Sequence, residues 1–345
     1  MGTSAHIDAD ARTRSRYFSL QLTMLAAMIS VILVSFLIGY YPLTPVEVCE
    51  AFASKLGYQG DVAPQAITIF WNVRLPRILA AVLIGASLSV AGSVYQGMFR
   101  NPLVSPDILG VSSGASLGAT IAIFMGTSGW GIQIAAFAGG VTAVFLAYFI
   151  SRKSAHSQTL SLVLTGVMIM ALCNAGVTMI KYIANPNDTL QQITFWLMGS
   201  LIKTNMGALG WSFVPMLVGF VTVFALRWRI NLLTLEEEEA RSLGINVRKY
   251  RLILIVASTL LSAAAVCLGG LVGWVGLMMP HMCRALVGPD YKRLIPTCAM
   301  LGATCLVLMD DAARSILSME LPLGVVTSII GAPFFVYLVI KRNDR

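Results

Sequence analysis
The segment ILGVSSGASLGATIAIFMGTSGWGIQIAAFAGGVTAVFLAYFIS, residues 108–151, runs for 44 residues without one Asp, Glu, Lys or Arg. A helix needs about 20 apolar residues to cross a bilayer, so this stretch is long enough for two passes. Its glycine-containing middle, Gly126 to Gly131, predicts a turn between them. Outward in both directions the pattern repeats, with charge-free stretches at 17–46, 78–99, 154–180, 204–226, 252–283, 294–309 and 321–340. The 252–283 stretch continues past Arg284 to about Val287, and Gly269, Gly270 and Gly273 divide it into two short spans. The sum predicts an all-α integral membrane protein with ten transmembrane helices.

Composition points the same way. Of 345 residues, 57% are hydrophobic and 12% charged, and the mean hydropathy is +0.78. A soluble domain carries roughly twice that share of charge, and one this apolar could not cover its core with polar surface. An ordinary cytosolic enzyme, a disordered chain and a disulfide-framed secreted domain are thereby excluded. Of the six cysteines, only Cys49 lies outside an apolar segment, and no C-x-x-C occurs. They read as small hydrophobes rather than as metal ligands or a disulfide frame.

An even number of spans places both termini on one side, and the distribution of positive charge selects it. Eighteen Lys and Arg fall on the side of the termini, against six (Lys55, Arg74, Arg77, Lys181, Lys203 and Arg314) on the other. Both termini are therefore expected in the cytoplasm. Residues 1–16 read as a basic cytoplasmic tail, and 17–345 as one transmembrane domain. Residues 189–202, TLQQITFWLMGSLI, are too short to cross and read as a surface or re-entrant helix.

The chain lacks a motor. It has no G-x-x-x-x-G-K-[ST] and no H-E-x-x-H, so it cannot cradle nucleotide phosphates or hold a catalytic zinc in the usual way. Charge deep within the spans, the usual mark of proton or ion coupling, is nearly absent. Such a passage either conducts as a channel or takes energy from a partner.

Three constellations stand out. The loop RWRINLLTLEEEEARSLGINVRKYR (227–251) carries Thr234 three residues before Glu237, the spacing of a capping box. Glu236 to Glu239 would follow at the positive end of a short helix, and Gly244 would end it. This is either a solvated linker or a docking element for a cytoplasmic partner. On the opposite side stand Arg74, Arg77 and Arg314. Arg314 can pair with Asp310 or Asp311 and Arg77 can snorkel to headgroups, or the three can meet an acidic external partner as guanidinium forks. The joints at 100–119 and 269–290 are rich in Gly, Ser and Pro, which suits close helix packing as well as function.

Together RLPRILAAVLIGASLSVAG (74–92), FRNPLVSPDILGVSSGASLGA (99–119), FWLMGSL (195–201), EARSLGINV (239–247), GLMMPHMCRALVGPDYKRLIP (276–296) and ELPLGVVTSIIGAPFF (320–335) resemble the FecCD family of ABC-importer permeases. The resemblance implies the type II importer permease fold, with ten helices per subunit and a homodimer around one pathway. It also implies two cytoplasmic P-loop ATPases holding ATP and Mg, and an external substrate-binding protein. Arg74, Arg77 and Arg314 match the positions that dock that protein. The segment around Glu236, Glu237, Glu239, Arg241, Leu243 and Gly244 matches the element that sits in the ATPase. Asn101 and Leu103 match residues of the cytoplasmic gate, and His281 falls in a Pro-His pair common in the family.

On this reading the chain has no catalytic residues, cofactor or metal of its own and touches lipid but no nucleic acid. It would lie in a bacterial-type inner membrane and pass an iron complex (ferric siderophore or haem) or a similar chelate such as cobalamin, with a molybdate-type oxyanion as a further possibility. The rival is a stand-alone secondary transporter or channel. An intramembrane enzyme would need a nucleophile or metal set that the sequence lacks.

Overall fold
A computed structural model describes residues 2–55, 57, 63–153, 158–317 and 319–343. Fourteen α-helices account for most of them: α1 (Gly2–Ser35), α2 (Pro45–Ser54), α3 (Pro64–Thr68), α4 (Leu75–Met98), α5 (Val111–Phe124), α6 (Trp130–Ser151), α7 (Gln158–Ile183), α8 (Thr189–Met198), α9 (Met206–Leu233), α10 (Glu237–Ser242), α11 (Val247–Gly269), α12 (Val275–Val287), α13 (Tyr291–Ser315) and α14 (Leu323–Asn343). A π-helical turn, Ile69–Arg74, joins α3 to α4, and a 3-10 turn, Pro106–Leu109, precedes α5. Among the described residues there is no strand.

Among the described residues, seven segments are long and apolar enough to cross a membrane: α1 from Ser15, α3 with α4, α6, α7 from Thr159, α9, α11 and α13. Three shorter apolar helices accompany them, namely α5, α12 and Leu323–Tyr337 of α14. The breaks fall where glycine predicts them. Gly126 and Gly129 adopt left-handed φ between α5 and α6, and Gly270 does so between α11 and α12. The 189–202 segment forms the ten-residue α8 and then turns at Gly199.

Some boundaries differ from the charge-free stretches. Residues 2–16 continue the first helix rather than forming a separate tail, and that helix stops at Ser35 instead of running to residue 46. Helix α9 runs on past Arg227 and Arg229 to Leu233, and α13 continues beyond residue 309 to take in Asp310, Asp311 and Arg314. Charge ends an apolar run in sequence, but a helix continues while its charged side chains find partners or reach water.

Helix α4 is the centre. It packs against α13, α11, α12 and α9, and 83% of its apolar window is buried, against 6% for α1. Small residues make this possible. A Cβ on Gly85 would strike the carbonyl of Gly302 in α13, and one on Gly92 would strike the carbonyl of Gly276 in α12. Backbone therefore lies on backbone, as lipid-embedded helices require when no hydrophobic force drives them together. Around these contacts Ile84, Leu88, Val94, Leu254, Leu261, Met278 and Leu306 form the main core. Helix α1 joins from outside through Gln21, whose Nε2 donates to Thr297 Oγ1 of α13 at 2.7 Å.

Gly92→Val should overpack the α4–α12 contact and lower stability by about 1–3 kcal/mol or more, read as a reduced thermal midpoint in detergent. Gly210→Ala, in α9 with nothing within 4 Å of the new methyl, should leave the midpoint unchanged or raise it slightly.

Candidate functional site
Both ends of the bundle carry sequence-selected residues. At one end the first turns of α4, the last turns of α13, the end of α1 and the loop after α13 converge. The Arg77 guanidinium is shared between two acids. Its Nε lies 3.0 and 3.1 Å from the Asp310 carboxylate oxygens and its Nη2 2.9 Å from Oδ1, while Nη1 reaches Glu320 at 2.8–2.9 Å. Arg314 bonds Asp311 through Nη2, which also donates to the Ser35 carbonyl at 2.9 Å and to Ser35 Oγ at 2.5 Å. Its Nε stands 3.7 Å from Asp310. Ser35 Oγ donates to Asp311 Oδ1 at 2.6 Å. Arg74 sends Nη1 to the Phe36 carbonyl and Nη2 to the Tyr41 carbonyl, closing the loop that follows α1.

All three arginines are buried. Arg314 pairs with both Asp310 and Asp311, and Arg77 is enclosed rather than snorkelled to headgroups. A guanidinium in a low dielectric is tolerable only when paired and hydrogen-bonded; three acids, Asp310, Asp311 and Glu320, supply that for Arg77 and Arg314, and the Phe36 and Tyr41 carbonyls for Arg74. Glu320 alone among them is open to solvent, at 36% side-chain exposure.

At the opposite end, α10 is tucked beneath α9 and α11. The structure corrects its start. Thr234 is not an N-cap: α9 extends far enough to use it as a C-cap, and its hydroxyl donates to the Asn231 carbonyl at 2.7 Å. Glu236 takes the N-cap position without a side-chain cap bond. The capping box lies elsewhere, at Thr44 and Glu47 of α2. There the Thr44 backbone N–H and hydroxyl both donate to the Glu47 carboxylate and hold it below its usual pKa.

The predicted helix stop holds. Gly244 has φ +78°, its N–H donates to Arg241 O at 2.9 Å, and Ile245 N–H donates to Ala240 O at 3.1 Å, which together make a Schellman motif. Of the acidic run, Glu237 turns inward, 2.6 Å from Arg241 and 3.8 Å from Arg251 of α11. Glu236, Glu238, Glu239, Arg241 and Leu243 are exposed. Between α10 and the bundle lies a small cavity lined by Arg100, Leu233, Leu235, Glu237, Ala240, Val247 and Arg251.

The joint after α4 borders that cavity. It ends in another Schellman pattern, with Asn101 N–H to Gln96 O at 3.1 Å and Arg100 N–H to Gly97 O at 3.2 Å. The left-handed position is held by Arg100, at φ +52°, not by glycine. A non-glycine residue there costs about 1–2 kcal/mol. Asn101 then folds on itself, its Oδ1 accepting from Leu103 N–H at 2.9 Å, and Leu103 is exposed. Beyond it the Ser112 hydroxyl donates to Asp107. Burial pushes that carboxyl above the usual range, against the pull of this bond.

Sequence reasoning missed several anchors. Gln96 Nε2 ties the joint to the carbonyls of Val104 and Leu277, at 3.2 and 3.3 Å. Asn231 bridges α9 to the start of α13, donating to Asp290 at 2.7 Å and accepting from Tyr291 N–H at 2.9 Å. Uncharged amides inside apolar runs were the available signal. For Glu320, the signal was an acid just beyond the Asp310–Arg314 group.

With this geometry in place, the comparisons are decisive for class. The family model of the FecCD transport family matches residues 26–341, and the chain belongs to that family. It is an ABC importer permease. A molybdate import system permease protein, MolB, of Haemophilus influenzae is 39% identical over 320 residues, covering 93% of this chain and 94% of the relative. A cobalamin import system permease protein, BtuC, of Halobacterium salinarum is 38% identical, covering 86% of this chain and 79% of the relative. A solved inward-facing conformation of a metal-chelate type ABC transporter superposes with a TM-score of 0.84 at 36% identity, over 94% of this chain and 99% of that one.

Arg77→Ala would strip Glu320 of its cation and leave Asp310 with only the Arg314 Nε at 3.7 Å. It should cost about 3–5 kcal/mol, seen as a clear fall in thermal midpoint. Gly244→Pro removes the N–H that closes on Arg241 and forbids the observed φ. Proteolysis within 236–246 should accelerate while the bundle's stability moves by no more than about 0.5 kcal/mol.

Proposed function
We propose that two copies of this chain form the ten-helix-per-subunit core of a type II ABC importer in a bacterial-type inner membrane, with both termini cytoplasmic. Two P-loop ATPases, which hold the ATP and Mg, bind the α10 end. An external binding protein delivers cargo at the arginine end. The cargo is an iron complex, a ferric siderophore or haem, or a related chelate such as cobalamin. The chain itself contributes passage rather than catalysis, and needs no cofactor of its own.

The observation that carries the ATPase partnership is α10. A helix of six residues is too short to be stable alone, yet this one is sharply ended at Gly244 and tethered inward through Glu237. It presents Glu238, Glu239, Arg241 and Leu243 outward. Leu243, 59% exposed next to a charged face, suits insertion into a partner's cleft. Asn101 and Leu103, on the strained turn over the adjoining cavity, are placed to act as the gate.

Support for the dimer comes from α7. Leu164, Met168, Leu172 and Met179 are exposed in one row, and the polar Asn174 and Thr178 are exposed at mid-helix beside them. The Thr178 hydroxyl is satisfied by the Asn174 carbonyl at 2.8 Å, but the Asn174 side-chain amide facing lipid would be costly, so a second copy or a shared aqueous path covers it. A passage with hydroxyl and amide groups but little charge releases a bulky solute easily.

Molybdate is the second cargo reading, favoured by the molybdate permease that matches 93% of this chain.

A tagged chain purified from its native membrane in mild detergent should bring down a P-loop ATPase near 1:1, together with a binding protein. ATP-loaded proteoliposomes supplied with that binding protein outside should then show ATP-dependent uptake of labelled ferric siderophore, haem or cobalamin, and the inverted orientation should not. Uptake of molybdate alone would select the second reading. Recovery of the chain by itself, moving solute without ATP, would return the stand-alone carrier or channel.

A further inference from the structure
Arg77 presents its two acidic partners very differently. Asp310 engages Nε and Nη2 and is 1% exposed, sealed between α4 and α13. Glu320 engages Nη1 alone and is 36% exposed. Of the two arms of Arg77, the one Glu320 holds is the one open to solvent.

The Glu320 arm is also the mobile partner in chemical terms. Of the Arg77–Glu320 pair only the acid is open to water, at 36% against 7% for Arg77, so the Glu320 carboxylate can be solvated as it leaves, whereas Asp310, 1% exposed, would be stranded in the interior on losing Arg77. Replacing Glu320 by a second carboxylate keeps Arg77 neutralised throughout, so the exchange is close to balanced. The residue next to Glu320 is fixed: Leu321 N–H donates to Ala313 O at 2.9 Å, and Leu323 N–H donates to Gly199 O at 3.0 Å. The loop bearing Glu320 therefore runs between α13 and the first turn of α14, hard against the end of α8.

We infer that Glu320 is an internal stand-in for a partner's carboxylate, occupying the outer arm of Arg77 until an acidic residue of the docking protein displaces it. This rests on the proposed docking role of the arginine end, and adds to it a built-in competitor. Displacement frees the Glu320 loop, so the start of α14 and the end of α8 register that a partner has arrived.

The test uses the intact permease–ATPase complex in nanodiscs and the binding protein that copurifies with it. Phenylglyoxal modification of Arg77, followed by mass spectrometry, is compared between wild type and Glu320→Gln, with and without that protein. Docking affinity is measured in parallel. Asp310 still holds Arg77 in Glu320→Gln, so the fold should persist, and an unchanged thermal midpoint would verify it. The expected result is faster Arg77 modification in Glu320→Gln, protection by the bound partner in both forms, and a Kd about two- to fivefold lower for the variant.

Wild-type reactivity and wild-type or weaker affinity in Glu320→Gln would overturn the inference while leaving docking at Arg77 intact, provided the partner still protects it. Absence of protection in both forms would instead remove the docking reading, and the inference with it.

Discussion

Where α4 crosses α12 and α13, two glycine pairs bring main chains into contact, Gly85 with Gly302 and Gly92 with Gly276. In water the exclusion of apolar surface would hold such helices together. In lipid that force is absent between helices, and close van der Waals packing must replace it. The buried serines of α4, Ser87, Ser89 and Ser93, extend the same low-profile surface. Helices α9, α11, α12 and α13 can then surround α4 closely, leaving α1 and α7 at the periphery. This arrangement fixes both ends of α4, so the residues flanking it, Arg74 and Arg77 at one end and Arg100 and Asn101 at the other, take their positions from the glycine contacts.

The two ends are built on opposite principles. At the arginine end, charge is gathered inward and cancelled, three against three, among Arg74, Arg77, Arg314, Asp310, Asp311 and Glu320. At the α10 end, charge is displayed. Acids stand in the first turn of a short helix where the helix dipole favours them, and one inward pair with Arg251 keeps that helix against the bundle. A sealed end and a displayed end suit a protein whose two faces meet different partners.

Much of this was legible in the sequence. Long charge-free runs located the helices, and the glycines at 126, 244 and 270 marked stops that need a left-handed residue. The family motifs identified the class of protein. What could not be read was how far helices persist through charge. Asp310 and Asp311 looked like a boundary because nothing in the linear chain reveals that Arg77, more than two hundred residues away, neutralises one of them. Thr234 and Glu237 had the spacing of a capping box, but spacing is blind to whether the preceding helix has already ended. The same motif at Thr44 and Glu47 went unused because residues 17–46 were taken as one apolar run. Arg100 shows a further limit: hydrogen bonds put an arginine where propensity would put glycine.

Asp310 is bonded to Arg77 of α4 and lies near Arg314, which in turn holds Ser35 of α1. Three helices far apart in sequence are thus pinned at a single point. The same helices meet again further along: α4 lies on α13 where Gly85 faces Gly302, and α1 is tied to α13 where Gln21 reaches Thr297. The opposite end has no comparable charge cluster joining those same three helices among the described residues. Charge clamps the three at one end and close packing carries the contact onward, so the buried arginines sit in a frame whose parts cannot shift independently of one another.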